Sequence, residues 1–297
     1  MKSNEIKTNS FTAWILAARP QTLSGAIIPV AVGASLAFVD GQFKLGATIA
    51  CLFFAGLMQI AANFINDLYD FLKGSDREDR LGPKRACSEG WITPQAMKKG
   101  ILVTLLLACF SGLLLLTYAG WELIVIGAVC ILFAFLYTLY LSYWGLGDLL
   151  VLLFFGFIPV GGTYYVQTLS WNTNVTVASI VCGLVINTLL VVNNYRDREE
   201  DKKSRKRTLI VRFGASFGSI FYLLLGFLAA FSCLWFATDY LIYAALLPQF
   251  YLFPHIITWK KMIDINHGRE LNSILKSTSK NILLLGILLT IGLLLSV

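Results

Sequence analysis

Nine stretches of the chain are almost continuously apolar over about 20 residues, the length that crosses a bilayer as an α-helix. They occupy windows 14–39, 46–70, 101–119, 122–142, 148–168, 175–195, 217–237, 240–259 and 280–297. The runs do not alternate between polar and apolar residues, which argues against strands. The pattern predicts an all-α membrane protein, a bundle of nine transmembrane helices. Residues 1–12 form a polar tail, and residues 1–297 read as a single integral membrane domain. The tail is followed by no small-residue cleavage signal, so the first apolar run reads as a retained span.

Composition agrees. Of 297 residues, 57% are hydrophobic and only 14% charged. Soluble domains carry roughly a quarter charged residues, so disorder is excluded and an ordinary cytosolic globule is not expected. The six cysteines form no Cys-x-x-Cys pair, and only two histidines are present. A disulfide framework, a zinc site and a histidine-rich metal site are therefore not expected.

The net charge of +7 changes the picture once its placement is considered. Lysine and arginine concentrate in the tail and in the loops after the second, sixth and eighth windows. Only Lys44 falls between other windows. With nine spans, the basic segments share one face, which the positive-inside rule makes cytoplasmic. The expectation is a multi-pass protein of the cell inner (cytoplasmic) membrane, N-terminus inside, C-terminus outside, in contact with the lipid bilayer. Topology explains the basic charge, and no nucleic acid partner is needed.

Two acidic clusters stand out on that face. The second window ends Asn63-Phe64-Ile65-Asn66-Asp67-Leu68-Tyr69-Asp70, where Asn63, Asn66, Asp67 and Asp70 share a helical face. Asp76 and Asp79 follow in the loop. The sixth window ends Asn193-Asn194-Tyr195-Arg196-Asp197-Arg198-Glu199-Glu200-Asp201, where Asn187, Asn194, Asp197 and Asp201 share a face. Carboxylates at the end of an apolar helix are costly unless paired or wet. Aspartate at a helix C-terminus also opposes the dipole. Helix-end solvation explains either cluster alone about as well as function does. Two clusters at one membrane level point to a hard cation such as Mg²⁺, held by one or two carboxylates and substrate phosphates. Neighbouring lysines and arginines suit a diphosphate. Between the clusters, Gly74 breaks the helix, Gly82-Pro83 turns, and Thr93-Pro94 starts a new helix. A folded cytoplasmic cap over the site follows from these signals.

These residues resemble the UbiA-type intramembrane prenyltransferases. The first motif runs from Asn63 to Arg85. The second runs from Asn193 to Asp201 and continues through Lys206-Arg207-Thr208-Leu209. The resemblance extends from about residue 14 to the C-terminus. The run Gly74…Asp76…Arg80-Leu81-Gly82-Pro83…Arg85 is similar to the menaquinone branch. So are the Arg19-Pro20-Gln21-Thr22-Leu23 entry to the first span and Gly145-Leu146-Gly147-Asp148 before the fifth. Gln21 stands where that branch usually has Lys, Ser88 where Gln is common, and Arg205 where Gly is frequent.

The resemblance implies a central cavity within the bundle, Mg²⁺ as cofactor and an allylic polyprenyl diphosphate as donor. It implies 1,4-dihydroxy-2-naphthoate as acceptor, prenylated with loss of CO₂ to a demethylmenaquinol. Metal ligands would be Asp67, Asp70, Asp76, Asp197 and Asp201. Lys73, Arg80, Arg85, Arg196 and Lys206 would neutralise the leaving diphosphate, and Asn63, Asn66 and Asn194 would orient ligands or water. Tyr69, Tyr137 and Tyr140 are candidates to shelter a carbocation, although most tyrosines in such a chain are packing residues. Asp197 or Asp201 is the expected general base. Other readings are a different aromatic acceptor, such as 4-hydroxybenzoate or homogentisate, or a cation-coupled transporter with its intramembrane acids. His255 reads as a polar helix-end residue near water, without a role.

Overall fold

The computed structural model describes residues 6–74 and 80–297. Among them every regular element is helical. Helix α1 (Phe11–Thr22) and α2 (Ser24–Val39) meet at a 52° bend. Then follow α3 (Leu45–Leu72), α4 (Pro94–Leu115), α5 (Glu122–Trp144), α6 (Gly147–Thr168), α7 (Thr173–Lys203) and α8 (Leu209–Asp239). Two shorter helices, α9 (Ile242–Leu246) and α10 (Leu252–Ile265), precede α11 (Leu271–Leu295).

Seven of these helices are long and apolar enough to cross a membrane, or eight if the bent α1–α2 pair is one span. The predicted count of nine is not reproduced among the described residues. The difference lies in window 240–259. There Pro248 opens a 3₁₀ turn, Leu247–Tyr251, between α9 and α10. Proline removes a backbone donor and crowds the preceding turn, so neither piece reaches spanning length. The segment still runs the length of the bundle. Asp239, just before it, accepts from Asn174 at the start of α7, while Asn266, just after it, bonds Tyr195 near the end of α7.

Local sequence explains the breaks. Pro20 disfavours helical backbone at the residue before it. Arg19 leaves the right-handed helical region, at φ 51°, and α1 turns there. Gly74 ends α3 at φ 65°. Thr93 caps α4 by accepting from the Ala96 N–H at 3.3 Å, with Pro94 in the first turn, as the sequence predicts. Wide π-helical turns interrupt α5 at Tyr137–Leu141 and α6 at Leu152–Gly161. Such turns re-aim side chains and recur at functional sites.

Helix α7 is the axis of the bundle: 67% of its apolar window is buried, against 11% for α5. The main core packs Val181, Val185 and Ile186 of α7 against Ile28 and Val32 of α2 and Leu285 and Leu289 of α11. Close approach of α6 to α7 requires a glycine. A Cβ at Gly156 would lie 2.3 Å from the Ser179 carbonyl oxygen and 3.2 Å from the backbone of Gly183. Small residues at such crossings let backbones meet without polar side chains. The outer surface is the reverse of a soluble protein. Leu102, Leu106, Phe110 and Leu113 line an exposed face of α4, as a lipid-facing helix requires.

His255 is not near water. It is fully buried and stacked between the rings of Tyr222 and Tyr251. Its Nε2–H donates to the Leu223 carbonyl at 3.2 Å, and its Nδ1 accepts from the Tyr251 hydroxyl at 2.9 Å. It is a satisfied packing residue that ties α10 to α8.

Candidate active site

At the end of the bundle where α3 and α7 finish, a polar cavity of about 200 Å³ is bordered by Asp70, Arg80, Arg85, Asp148, Asn194, Arg196, Asp197, Asp201 and Lys206. It adjoins an apolar cavity of about 400 Å³ inside the bundle, lined by residues such as Phe54, Met58, Cys130, Phe133, Phe154 and Ile158. Arg19, Asn66, Tyr137, Thr138, Leu190 and Asn193 border both cavities. They form a neck between a charged chamber and a greasy tube.

Among the described residues, each carboxylate from the two motifs in the chamber has a cation. Asp70, on the last turns of α3, pairs with Arg85. Arg85 also donates to the Asn66 carbonyl at 2.7 Å. On α7, Arg196 grips Asp197 through both edges of its guanidinium, Nε to Oδ1 at 2.7 Å and Nη2 to Oδ2 at 2.6 Å. Its Nη1 donates to Asn272 of α11 at 2.9 Å, and Asn272 donates to the Leu81 carbonyl at 2.8 Å. The loop after α3 is thus tied over the site. Lys206 contacts Asp201 at 3.1 Å. Burial disfavours the Lys206 ammonium, but the Asp201 carboxylate, with Asp70 and Tyr143 adding to it, more than offsets this and holds its pKa above the ordinary lysine value.

Not every predicted residue joins the chamber. Asp67 is 1% exposed, and both its carboxylate oxygens accept backbone N–H groups, from Ala86 and Cys87, each at 2.8 Å. It pins the loop and does not line the chamber, one helical step from the face that does. Asn63 borders the apolar cavity and donates to the Ala18 carbonyl at 2.9 Å and Thr22 at 3.0 Å. Lys73 turns to the Thr138 and Leu139 carbonyls, with its ammonium 4.8 Å from the Tyr143 ring centre. Asp76 and Asp79 lie outside the described residues. Of the candidate tyrosines, Tyr137 borders the neck, Tyr69 packs edge-on against Phe135, and Tyr140 is exposed. Asn66 is placed at the neck, where its amide oxygen accepts from Thr138.

The sequence reading assigned no role to Arg19, Thr138, Asp148, Asn193 or Asn272. Arg19 had a signal in the proline that follows it, and Asp148 in the glycines at 145 and 147. Asn272 had none, since its value comes from a contact made across the chain.

The donor set fits a hard divalent cation. Asp70 and Asp197 or Asp201 offer oxygen from two helices, and arginines flank them for phosphate. Among the described residues no three acidic, histidine or cysteine side chains converge on a point. A magnesium ion that takes one or two carboxylates and completes its shell with phosphate and water needs no such cage.

Comparison with known proteins agrees with this arrangement. The sequence pattern of the UbiA prenyltransferase family matches residues 26–271. The chain is 38% identical to 1,4-dihydroxy-2-naphthoate octaprenyltransferase of Escherichia coli (strain K12), over 68% of each protein. It is 34% identical to the enzyme of that name from Haemophilus influenzae, over 99% of each. Among solved structures, the apo UbiA homologue from Aeropyrum pernix K1 superposes with a TM-score of 0.70 at 15% identity, covering 92% of this chain and 97% of that one. The Archaeoglobus fulgidus homologue bound to DMAPP and Mg²⁺ does so with 0.62 at 14%, covering 94% and 99%. These matches, and the paired acidic motifs at one end of a helical bundle, make the chain a member of the UbiA prenyltransferase family.

Proposed function

We propose that the protein transfers a polyprenyl chain from an allylic diphosphate to 1,4-dihydroxy-2-naphthoate, releasing diphosphate and CO₂ and giving the demethylmenaquinol used in menaquinone synthesis. The observation that carries the reading is the neck. A charged chamber opening onto an apolar tube matches a substrate with a diphosphate head and a hydrocarbon tail. The naphthoate acceptor is the one named for the Escherichia coli and Haemophilus influenzae relatives. An aromatic acceptor of another kind would use the same donor site.

Binding would exchange partners within the chamber. Arg85, Arg196 and Lys206 move from carboxylates to phosphate oxygens, while Asp70, Asp197 and Asp201 are freed to hold the metal. The matched pairs keep the chamber near neutral before substrate arrives, when unpaired buried charges would be costly. Bound Mg²⁺ would neutralise charge on the departing diphosphate. Arg80, Arg85, Arg196 and Lys206 add hydrogen bonds and positive charge to the same oxygens. The allylic carbon would sit at the neck, where the Tyr137 ring presents an electron-rich face. The tail would follow the apolar tube, and the loop held by Asp67 and Asn272 would keep water from the reactive carbon.

The segments that form the chamber are the basic ones. By the positive-inside rule the chamber faces the cytoplasm, in the cytoplasmic membrane, with the N-terminus on that side and the C-terminus outside. Naphthoate labelled at its carboxyl carbon tests the reaction. Purified protein with Mg²⁺ and a polyprenyl diphosphate should release labelled CO₂ in step with prenylated product. Product that keeps the carboxyl label would refute the decarboxylating reaction.

A further inference from the structure

Four carboxylates border the chamber among the described residues: Asp70, Asp148, Asp197 and Asp201. Three of them are ion-paired, with Arg85, Arg196 and Lys206 respectively. Among the described residues, no cation lies within ion-pairing distance of Asp148. The neutral amide of Asn187, on α7, lies beside it. The Asn187 Oδ1 is buried with no hydrogen-bond partner among the described residues.

The backbone fixes where Asp148 sits. Gly145, at φ 79°, packs so closely on the Arg207 carbonyl that a Cβ would lie 2.2 Å from its oxygen. The Arg207 N–H donates to the Tyr143 carbonyl at 2.9 Å, which ties this turn to the loop carrying Lys206. Gly147 then starts α6 against the neck. A Cβ there would lie 3.1 Å from Leu190 and 3.8 Å from the Tyr137 hydroxyl. Asp148 is therefore beside the neck, on its polar side, adjacent to where the allylic carbon is placed.

The transfer needs a proton acceptor in that position. A carboxylate engaged by a guanidinium or ammonium is a weaker base than one with no cation against it. The ion-paired acids are also the ones that the metal would claim. We propose that Asp148 is the carboxylate that binds the acceptor's ring hydroxyl and takes its proton, an assignment that rests on the aromatic prenyl-transfer reading above. In this step a π pair of the ring forms the new C–C bond. The allylic C–O bond breaks, and its electron pair leaves on the diphosphate. The hydroxyl O–H pair becomes the second pair of a ring C=O, and the proton passes to an Asp148 oxygen. The bond from the ring to the carboxylate then breaks as CO₂ leaves, its electron pair restores the aromatic ring, and the C=O π pair takes the proton back from Asp148 onto the ring oxygen. Asn187 is a positioning residue, aiming the carboxylate without neutralising it.

The test is the steady-state kinetics of Asp148→Asn with the naphthoate, Mg²⁺ and a polyprenyl diphosphate. General base catalysis contributes about 10²–10⁴-fold, so kcat should fall about 100-fold or more. The KM and the calorimetric Kd for the donor should stay within about twofold of wild type, and Asp148→Glu should recover part of the rate. Asn187→Ala should lower kcat about tenfold with the donor KM unchanged. If Asp148→Asn fails to fold, that second variant decides the matter. A kcat within about threefold of wild type in Asp148→Asn, or an unchanged one in Asn187→Ala, would overturn the assignment. Wild-type protein that binds the donor yet prenylates no aromatic acid would instead overturn the functional reading.

Discussion

Asp67 holds the backbone of Cys87: its Oδ1 accepts the Cys87 N–H at 2.8 Å while Oδ2 accepts that of Ala86 at the same distance. Two charge-assisted bonds of this kind are worth about 1.5–3 kcal/mol each. The first acid of the motif is thereby spent on the loop, and the acid one turn on, Asp70, faces the chamber. Asp67→Asn should therefore speed hydrogen exchange at the Ala86 and Cys87 amides and lower kcat, while the Mg²⁺ concentration for half-maximal rate stays within about twofold. Asp70→Asn should raise that concentration about tenfold or more and leave loop exchange unchanged. A reversed pattern would return Asp67 to the metal.

Arg196 is 3% exposed and serves Asp197 and Asn272 at once. A lysine can supply the charge but not the fork. Arg196→Lys should cost about tenfold or more in kcat/KM for the donor. Arg85→Ala should raise the donor KM or lower kcat; unchanged kinetics would leave Arg85 as a topology signal alone.

Lys206 gives a pH prediction with a definite sign. Its pKa is raised in the folded protein. The ion pair with Asp201 is therefore complete below the unfolded value of about 10.4 and is lost only as pH climbs past the folded value. Between about pH 7 and about pH 9 the ratio of donor KM in Lys206→Met to that of wild type should be constant. A ratio that falls toward one across this range would mean that Lys206 titrates there.

Gly127 borders the apolar cavity, and a Cβ built on it meets nothing within 4 Å. Gly127→Phe should therefore fill space that the donor tail uses. The kcat/KM for a long polyprenyl diphosphate should fall about tenfold relative to a ten-carbon donor. An unchanged preference would place the tail elsewhere.

Much of this was legible beforehand. Apolar windows and basic loops gave a helical membrane bundle, and the spacing of Asp70, Asp197 and Asp201 gave a charged chamber. Thr93-Pro94 marked the start of α4. What was not legible depends on contacts between distant segments. Asp67 and Asp70 share a helical face in sequence, and only the returning backbone at Ala86 and Cys87 separates their roles. Lys73 looked like a phosphate ligand until the carbonyls of the wide turn in α5 claimed it. The window at 240–259 is apolar enough to span, yet Pro248 breaks it. Asp148 was visible within a glycine-flanked motif, but that no cation among the described residues pairs with it emerges only from the folded arrangement.

The central claim is the acceptor. Purified protein should be incubated with Mg²⁺, a labelled polyprenyl diphosphate and, in parallel, 1,4-dihydroxy-2-naphthoate, 4-hydroxybenzoate and homogentisate. The naphthoate should give labelled product with a kcat/KM at least about 100-fold above either other ring. Equal or better prenylation of another ring would contradict it.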